Sequence, residues 1–303
     1  MLTYTIDRRD QFRTVESLLM QRLPSAPRGY IHKLIRSNAC LLNQSPTVPE
    51  AQLMVNDQLT LKESKTVRAH TTGRIPAIDL LWYDERLLIV NKPAGLAMHP
   101  AAEVTESLTE RGSDWLRDHY HTPHATAYPV NRLDRGTSGV VMLATSSSNA
   151  GRFGRYIKEI GLTKCYLALA EGMIRESGSI DLPLDEKESV TRYQVLASSP
   201  AASVLLVEPI SGRMHQIRRH LQAIGHPIVN DARYGSKTKL NSLGYGIGLH
   251  SFTTAFSYPE EQFSLSLTAP IPVPLLDAIT QMSGFDESSL FRALGPFTRL
   301  TPP

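Results

Sequence analysis

The chain has few cysteines and no long apolar run, and each shortage removes a class of protein. Cys40 and Cys165 are the two cysteines in 303 residues. Neither belongs to a CxxC pair, which argues against a disulfide framework and against a zinc finger. No stretch approaches the roughly 18 apolar residues that a membrane-spanning helix needs. The opening MLTYTIDRRDQF lacks the basic-then-apolar layout of a secretion signal, so the expected compartment is the cytoplasm. GxGxxG, P-loop, GxSxG and HExxH strings and internal repeats are all missing, which leaves nucleotide cofactors, serine hydrolysis and zinc proteolysis without support. His119, His121 and His124 fall in DHYHTPH with no carboxylate or cysteine cluster, a pattern that fits a solvated or RNA-facing loop better than a metal site.

What is present describes an ordinary globular chain, 41% hydrophobic and 20% charged, long enough for one large or two modest domains. Its net charge of +3 is unevenly spread. Residues 1–75 carry 11 Lys and Arg against 6 Asp and Glu, about +5, and the remaining 21 bases and 23 acids leave about −2. The basic end is the candidate nucleic-acid surface, with a plain solvated face as the competing reading. Apolar residues recur at helical spacing over residues 14–23 and stop at Pro24-Ser25-Ala26-Pro27. A second helix is expected from about Arg28 to Ser37, with Tyr30, Ile31, Leu34 and Ile35 inward and Arg28, His32, Lys33 and Arg36 outward. Short strands are expected at 39–42 and 58–61. Residues 62–77 lack apolar periodicity and read as a linker.

The string YPVNRLDRGTSGVVMLA, residues 128–144, sets Asp134 between Arg132 and Arg135, just ahead of a Gly-Thr-Ser-Gly turn and a buried strand. An acid held at a strand mouth by a stiff turn suits catalysis, whereas the bland alternative is a surface ion pair on a hairpin. Tyr166, in LTKCYLALAE, reads first as a core ring. In SGRMHQIRRHL, Met214, Ile217, Leu221 and Ile224 mark a buried helix face, Gly225 a C-cap, and His215, Arg218, Arg219 and Gln222 the opposite face.

These strings together resemble the RluA-type pseudouridine synthases. The signature HRLD, one or two variable residues, then TSG matches around Asp134, with Asn131 where the family usually has histidine. LLIVNKPAGLAMHP, the KxYxAL pattern at Tyr166, GRMHQIRRHL and GHPIVNDARYG follow in the family's order. The two helices followed by a hairpin resemble the small RNA-binding module named after a small-subunit ribosomal protein. The resemblance implies an α+β fold: a large, bent, mainly antiparallel mixed sheet with a central catalytic cleft, plus a small N-terminal α/β RNA-binding module. The implied divisions are a module at 1–61, a linker at 62–77, a catalytic domain at 78–280 and a C-terminal tail at 281–303.

Asp134 would then be the catalytic acid, Tyr166 would stack on the target base, and Arg218 would pair with the aspartate and keep it ionised. Arg132 would fill the place of the extruded base, while Arg28, Lys33 and Arg36 would grip phosphates. Lys92 and His99 are not expected to be catalytic, and the GHPIVNDARYG turn is expected to be structural. The partner would be RNA, ribosomal RNA favoured and transfer RNA possible, with no membrane and a monomeric enzyme. Isomerisation involves no redox change or phosphate transfer, so no metal or organic cofactor is implied. Two other readings stay open. One is a non-catalytic RNA-binding protein. The other is a glycosidase, which would need a second carboxylate, with Asp114 and Asp118 as the nearest candidates outside the motif.

Overall fold

The computed structural model describes residues 1–72, 78–100, 106–258 and 263–302. Within them the chain builds a ten-stranded sheet and a four-stranded N-terminal sheet. The large sheet runs Gly178–Asp181, Val190–Ser198, Ala202–Pro209, Thr163–Glu171, Leu249–Tyr258, Ser138–Ala144, Leu87–Lys92 and Leu80–Tyr83 from edge to edge. Phe263–Thr268 pairs with Leu249–Tyr258, and Tyr128–Pro129 with Ser138–Ala144. The joins are antiparallel except one, the parallel contact that sets His250 against Ser138 and Ser251 against Gly139. The expected α+β class and mainly antiparallel mixed sheet are therefore observed.

That parallel join positions the chemistry. Ser251 is registered against both Gly139 and Tyr166, so one strand links the turn that follows Asp134 to the tyrosine strand. Gly139 has φ +112°, and a Cβ there would lie 2.1 Å from the Ser251 carbonyl oxygen. The turn can approach only because this residue has no side chain. Ser138–Ala144 is buried along its whole length, as its unbroken apolar run foretells.

The N-terminal elements fall close to expectation: helices Val15–Arg22 and Arg28–Arg36, strands Cys40–Leu42 and Gln58–Leu61. Thr14 caps the first helix by accepting from the Ser17 amide. A further strand, Leu2–Thr5, pairs with Gln58–Leu61. The expected linker is corrected in part: Lys65–Thr71 is a helix capped by Ser64 and anchored by buried Val67, while residues 73–77 lie outside the described residues.

The N-terminal elements pack against the large sheet. The Phe12 ring packs edge-on against Phe252 and Phe291, with centroids 5.5 Å away in each case. Arg13, 2% exposed, donates to both Asp79 oxygens at 2.9 and 3.0 Å, and the Ser17 hydroxyl donates to the Leu80 carbonyl at 2.8 Å. The tail is also ordered into the core: Glu287–Leu294 is a helix that buries Leu290, Phe291 and Leu294. Arg8 reaches Asp277 and Glu287 of the C-terminal helices. The histidine-rich segment is corrected too, because helix Leu108–Tyr120 runs through His119 and stacks its ring on Trp115 at 4.4 Å. Among the described residues no group of three metal-ligating side chains assembles.

Candidate active site

Asp134 lies in the turn between Tyr128–Pro129 and Ser138–Ala144, closed by the Thr137 amide donating to the Asp134 carbonyl at 3.1 Å. Three groups stiffen the surroundings. Lys92 is fully buried, and its ammonium donates to the carbonyls of Pro93, Leu96 and Arg135 at 2.9, 2.9 and 3.2 Å. Burial lowers its pKa to about 7 against the pull of Asp134. Lys92 thus ties down the carbonyl next to the acid without lining its cavity. Ser138 donates its hydroxyl to His250 Nδ1 at 2.8 Å, while His250 Nε2 donates to the Ala269 carbonyl at 3.2 Å. Asn131 accepts from the Met142 amide at 2.8 Å, so the residue that departs from the family histidine serves as a backbone strut.

The carboxylate of Asp134 meets Arg218 across the sheet. Arg218 Nη1 donates to Asp134 Oδ2 at 2.8 Å. Its other two nitrogens take Asp231 in a fork, Nε at 2.6 Å and Nη2 at 2.8 Å. A bidentate pair fixes the plane of the guanidinium, and that plane aims the remaining N–H at the acid. Arg218 and Asp231 are 8% and 2% exposed. Burial works to strip the arginine of its proton, and the hydrogen bonds and charges of Asp231 and Asp134 outweigh it, raising the pKa.

The ring of Tyr234 packs on the guanidinium at 4.8 Å, and its hydroxyl is 2.7 Å from His215 Nδ1. His215 Nε2 in turn lies 3.4 Å from Asp134 Oδ1. With Nδ1 accepting from the tyrosine, Nε2 carries the hydrogen that faces the acid. Burial, Arg218 and Arg233 lower the His215 pKa while Asp134 opposes them, so the ring is held towards its neutral form.

Asp134, Arg218 and Tyr166 all line one cavity of about 500 Å³, with Arg132 exposed at its rim. Tyr166 is 8% exposed, and burial pushes its hydroxyl to about 12, which keeps it protonated. The three expected catalytic residues are thus brought together, and Arg132 stands beside them. Arg28, Lys33 and Arg36 do not line this cavity. Arg28 departs from its expected role: it bonds to Glu16 at 2.5 Å and to the Tyr83 carbonyl at 3.0 Å, and lies over the Trp82 ring. Glu16 is 4% exposed and needs that counter-charge, so Arg28 is committed inward while Lys33 and Arg36 remain exposed.

Met214 is another departure. It is 58% exposed at the cavity lip, because His215 takes a left-handed backbone, φ 53°, and the helix begins only at Gln216. Arg219 is engaged by Asp185 at 2.9 and 3.0 Å. Asp231, His215 and Tyr234 were missed as site residues. Asp231 precedes and Tyr234 ends a single turn of 3₁₀ helix, Ala232–Tyr234, and a carboxylate and an aromatic three apart in a glycine-bounded turn were the available signal. The expected alternative carboxylates, Asp114 and Asp118, are exposed on Leu108–Tyr120 and do not line the cavity. The other acid at the site, Asp231, has both oxygens occupied by Arg218, which disfavours a two-carboxylate hydrolase.

Residues 86–223 match the family described as RNA pseudouridylate synthase. The chain is 29% identical over 289 residues to ribosomal large subunit pseudouridine synthase C of Escherichia coli (strain K12), covering 85% of this chain and 89% of that one. It is 27% identical over 307 residues to ribosomal large subunit pseudouridine synthase D of Neisseria meningitidis serogroup B, covering 90% and 80%. Among solved structures, human RNA pseudouridylate synthase domain containing 4 superposes with a TM-score of 0.56 at 23% identity, covering 67% of this chain and 92% of that one. This last likeness shows the fold.

Proposed function

We propose that the chain is an RNA pseudouridine synthase of the RluA type, an isomerase, and that it converts specific uridines of ribosomal RNA to pseudouridine through Asp134. The observation that carries this reading is the Asp134–Arg218–Asp231 array opening onto a cavity beside Tyr166.

The reaction breaks the N1–C1′ bond, forms a C5–C1′ bond, releases the hydrogen of C5 and places one on N1, so atoms and electrons balance without an oxidant. One carboxylate serves it. Asp134 attacks the anomeric carbon, or it removes the C2′ proton to give a glycal, and the same geometry suits both routes. Arg218 holds Oδ2 and His215 faces Oδ1, which limits rotation of the acid. Tyr166, protonated, packs on the uracil through the half-turn that the base must make. A stacked base hides its glycosidic bond, so the uridine is extruded at roughly a few kcal/mol, and Arg132 fills the vacated place. Residues 1–61, through Lys33 and Arg36, supply phosphate contacts away from the cavity. Ribosomal RNA is favoured over transfer RNA because both relatives are named for the large ribosomal subunit.

Asp134→Asn tests the assignment, since the amide keeps the shape and is a far weaker nucleophile or base. Tritium release from C5-labelled uridine in ribosomal RNA should disappear while RNA affinity stays within a few-fold. Turnover near wild type would overturn the role of Asp134. Product mass separates the alternatives, because isomerisation leaves it unchanged, hydrolysis frees uracil, and binding does neither.

A further inference from the structure

Four cations, Arg132, Lys164, Arg213 and Arg218, line the cavity against one carboxylate, Asp134. Three of them are accounted for. Arg218 is held by two acids, Arg213 donates to the Glu188 carbonyl at 3.2 Å, and Arg132 is exposed to water. Lys164 is different. It is only partly exposed, and among the described residues its ammonium has no hydrogen bond or ion pair. Burial alone lowers its pKa, with no anion offsetting the cost. Thr254, its partner across the strand pair, leaves its own buried hydroxyl unpaired and gives the lysine no acceptor. On the other neighbouring strand Glu208 is registered opposite Arg192 and makes no ion pair with Lys164.

A half-buried ammonium on a cavity wall with no protein anion beside it is a place where a ligand can bring the missing charge. The ligand's chemistry follows from position. Lys164 precedes Tyr166 by two residues on one strand, so both side chains point from the same face, about 6.6 Å apart along the chain. That is within one nucleotide's reach of a base lying on Tyr166.

We propose that Lys164 is a phosphate subsite of the cleft, its ammonium taking the phosphodiester adjoining the target uridine while Tyr166 packs on the base. This rests on the RNA-modifying role of the same cavity. The contact fixes the strand, and the compact charge of lysine suits a single phosphate oxygen.

The test compares the wild type with Lys164→Met and Lys164→Arg on an RNA carrying one neutral methylphosphonate linkage, placed before or after the target uridine. On ordinary RNA, Lys164→Met should weaken kcat/KM about tenfold to a hundredfold, chiefly through KM. Its dissociation constant should depend less on salt, by about 0.7 to 0.9 in log–log slope for one lost phosphate. Lys164→Arg should keep most of the activity. A neutral linkage on one side of the uridine should impair the wild type by a similar factor and leave Lys164→Met unaffected. Equal sensitivity of the two proteins at both positions would overturn the subsite. So would an unchanged KM for Lys164→Met on ordinary RNA. Thermal melting guards against a purely structural role: removing an unpaired charge should not lower Tm, and a fall of several degrees with KM intact would overturn the proposal. Wild-type turnover on unmodified RNA is the control, because its absence would sink the synthase reading, whereas the linkage comparison sinks only the subsite.

Discussion

Arg218→Ala removes the cation that two carboxylates share, and the structure separates its two consequences. Asp231 is 2% exposed and would keep its charge with no partner, whereas Asp134 has a side chain 22% exposed and reaches water at the cavity floor. Stranding one half of a buried ion pair costs about 3 to 5 kcal/mol. At roughly 2 to 4 °C per kcal/mol for a chain of this size class, Tm should fall by about 6 to 20 °C. Activity should fall for a different reason: the Nη1 contact to Asp134 is lost, and removing one preorganised donor from a site typically lowers kcat about 10²–10³-fold.

The double variant Arg218→Ala/Asp231→Ala distinguishes these effects. It deletes the stranded charge as well, so most of the lost stability should return, with a coupling of about 2 to 3 kcal/mol between the positions. Activity should stay low, since Asp134 still lacks its donor. Differential scanning calorimetry with single-turnover tritium release measures both quantities on the same samples. A wild-type Tm for Arg218→Ala would refute the claim that the buried array needs its cation. Recovery of kcat in the double variant would refute the claim that Arg218 acts on Asp134.

His250 predicts an acid-limb effect. Burial pushes its pKa down to about 4, below its unfolded value, so the unfolded chain binds the proton first and stability is lost as pH falls from about 6.5 to about 4. The loss is about 3 kcal/mol by pH 4, and His250→Gln should flatten the Tm–pH curve in that window; parallel curves would show that another group titrates there. Phe12→Ala should destabilise the protein by about 3 to 5 kcal/mol, because its ring fills the space between Phe252 and Phe291. Calorimetry should show the whole chain melting earlier in one transition, and a main transition left in place would mean that the N-terminal residues fold apart from the sheet.

The features legible in sequence are those whose causes lie close in the chain. Asp134 and the glycine that lets its turn pack belong to one seventeen-residue string, and the Arg28–Arg36 helix follows from its own apolar spacing. Contacts made by the sheet were not legible. Arg218 and Asp134 lie 84 residues apart, and the turn around Asp231 marks a carboxylate and an aromatic without showing which residue they meet. Arg28 read as a phosphate grip because its helix face is basic, yet buried Glu16 claims it. The same blindness hid how the N-terminal end is attached, since Phe12, Arg13 and Arg8 find their partners on Phe252, Asp79 and the C-terminal helices. That attachment bears on function. Lys33 and Arg36 are carried on a helix of the N-terminal end, which is packed on the sheet that holds Asp134, so under the proposed function an RNA held by these two side chains would be presented at a set distance and angle to the acid. On that proposal recognition and catalysis would be joined through a packed core, and a core substitution far from both, at Phe12, should disturb their alignment as well as the stability of the fold.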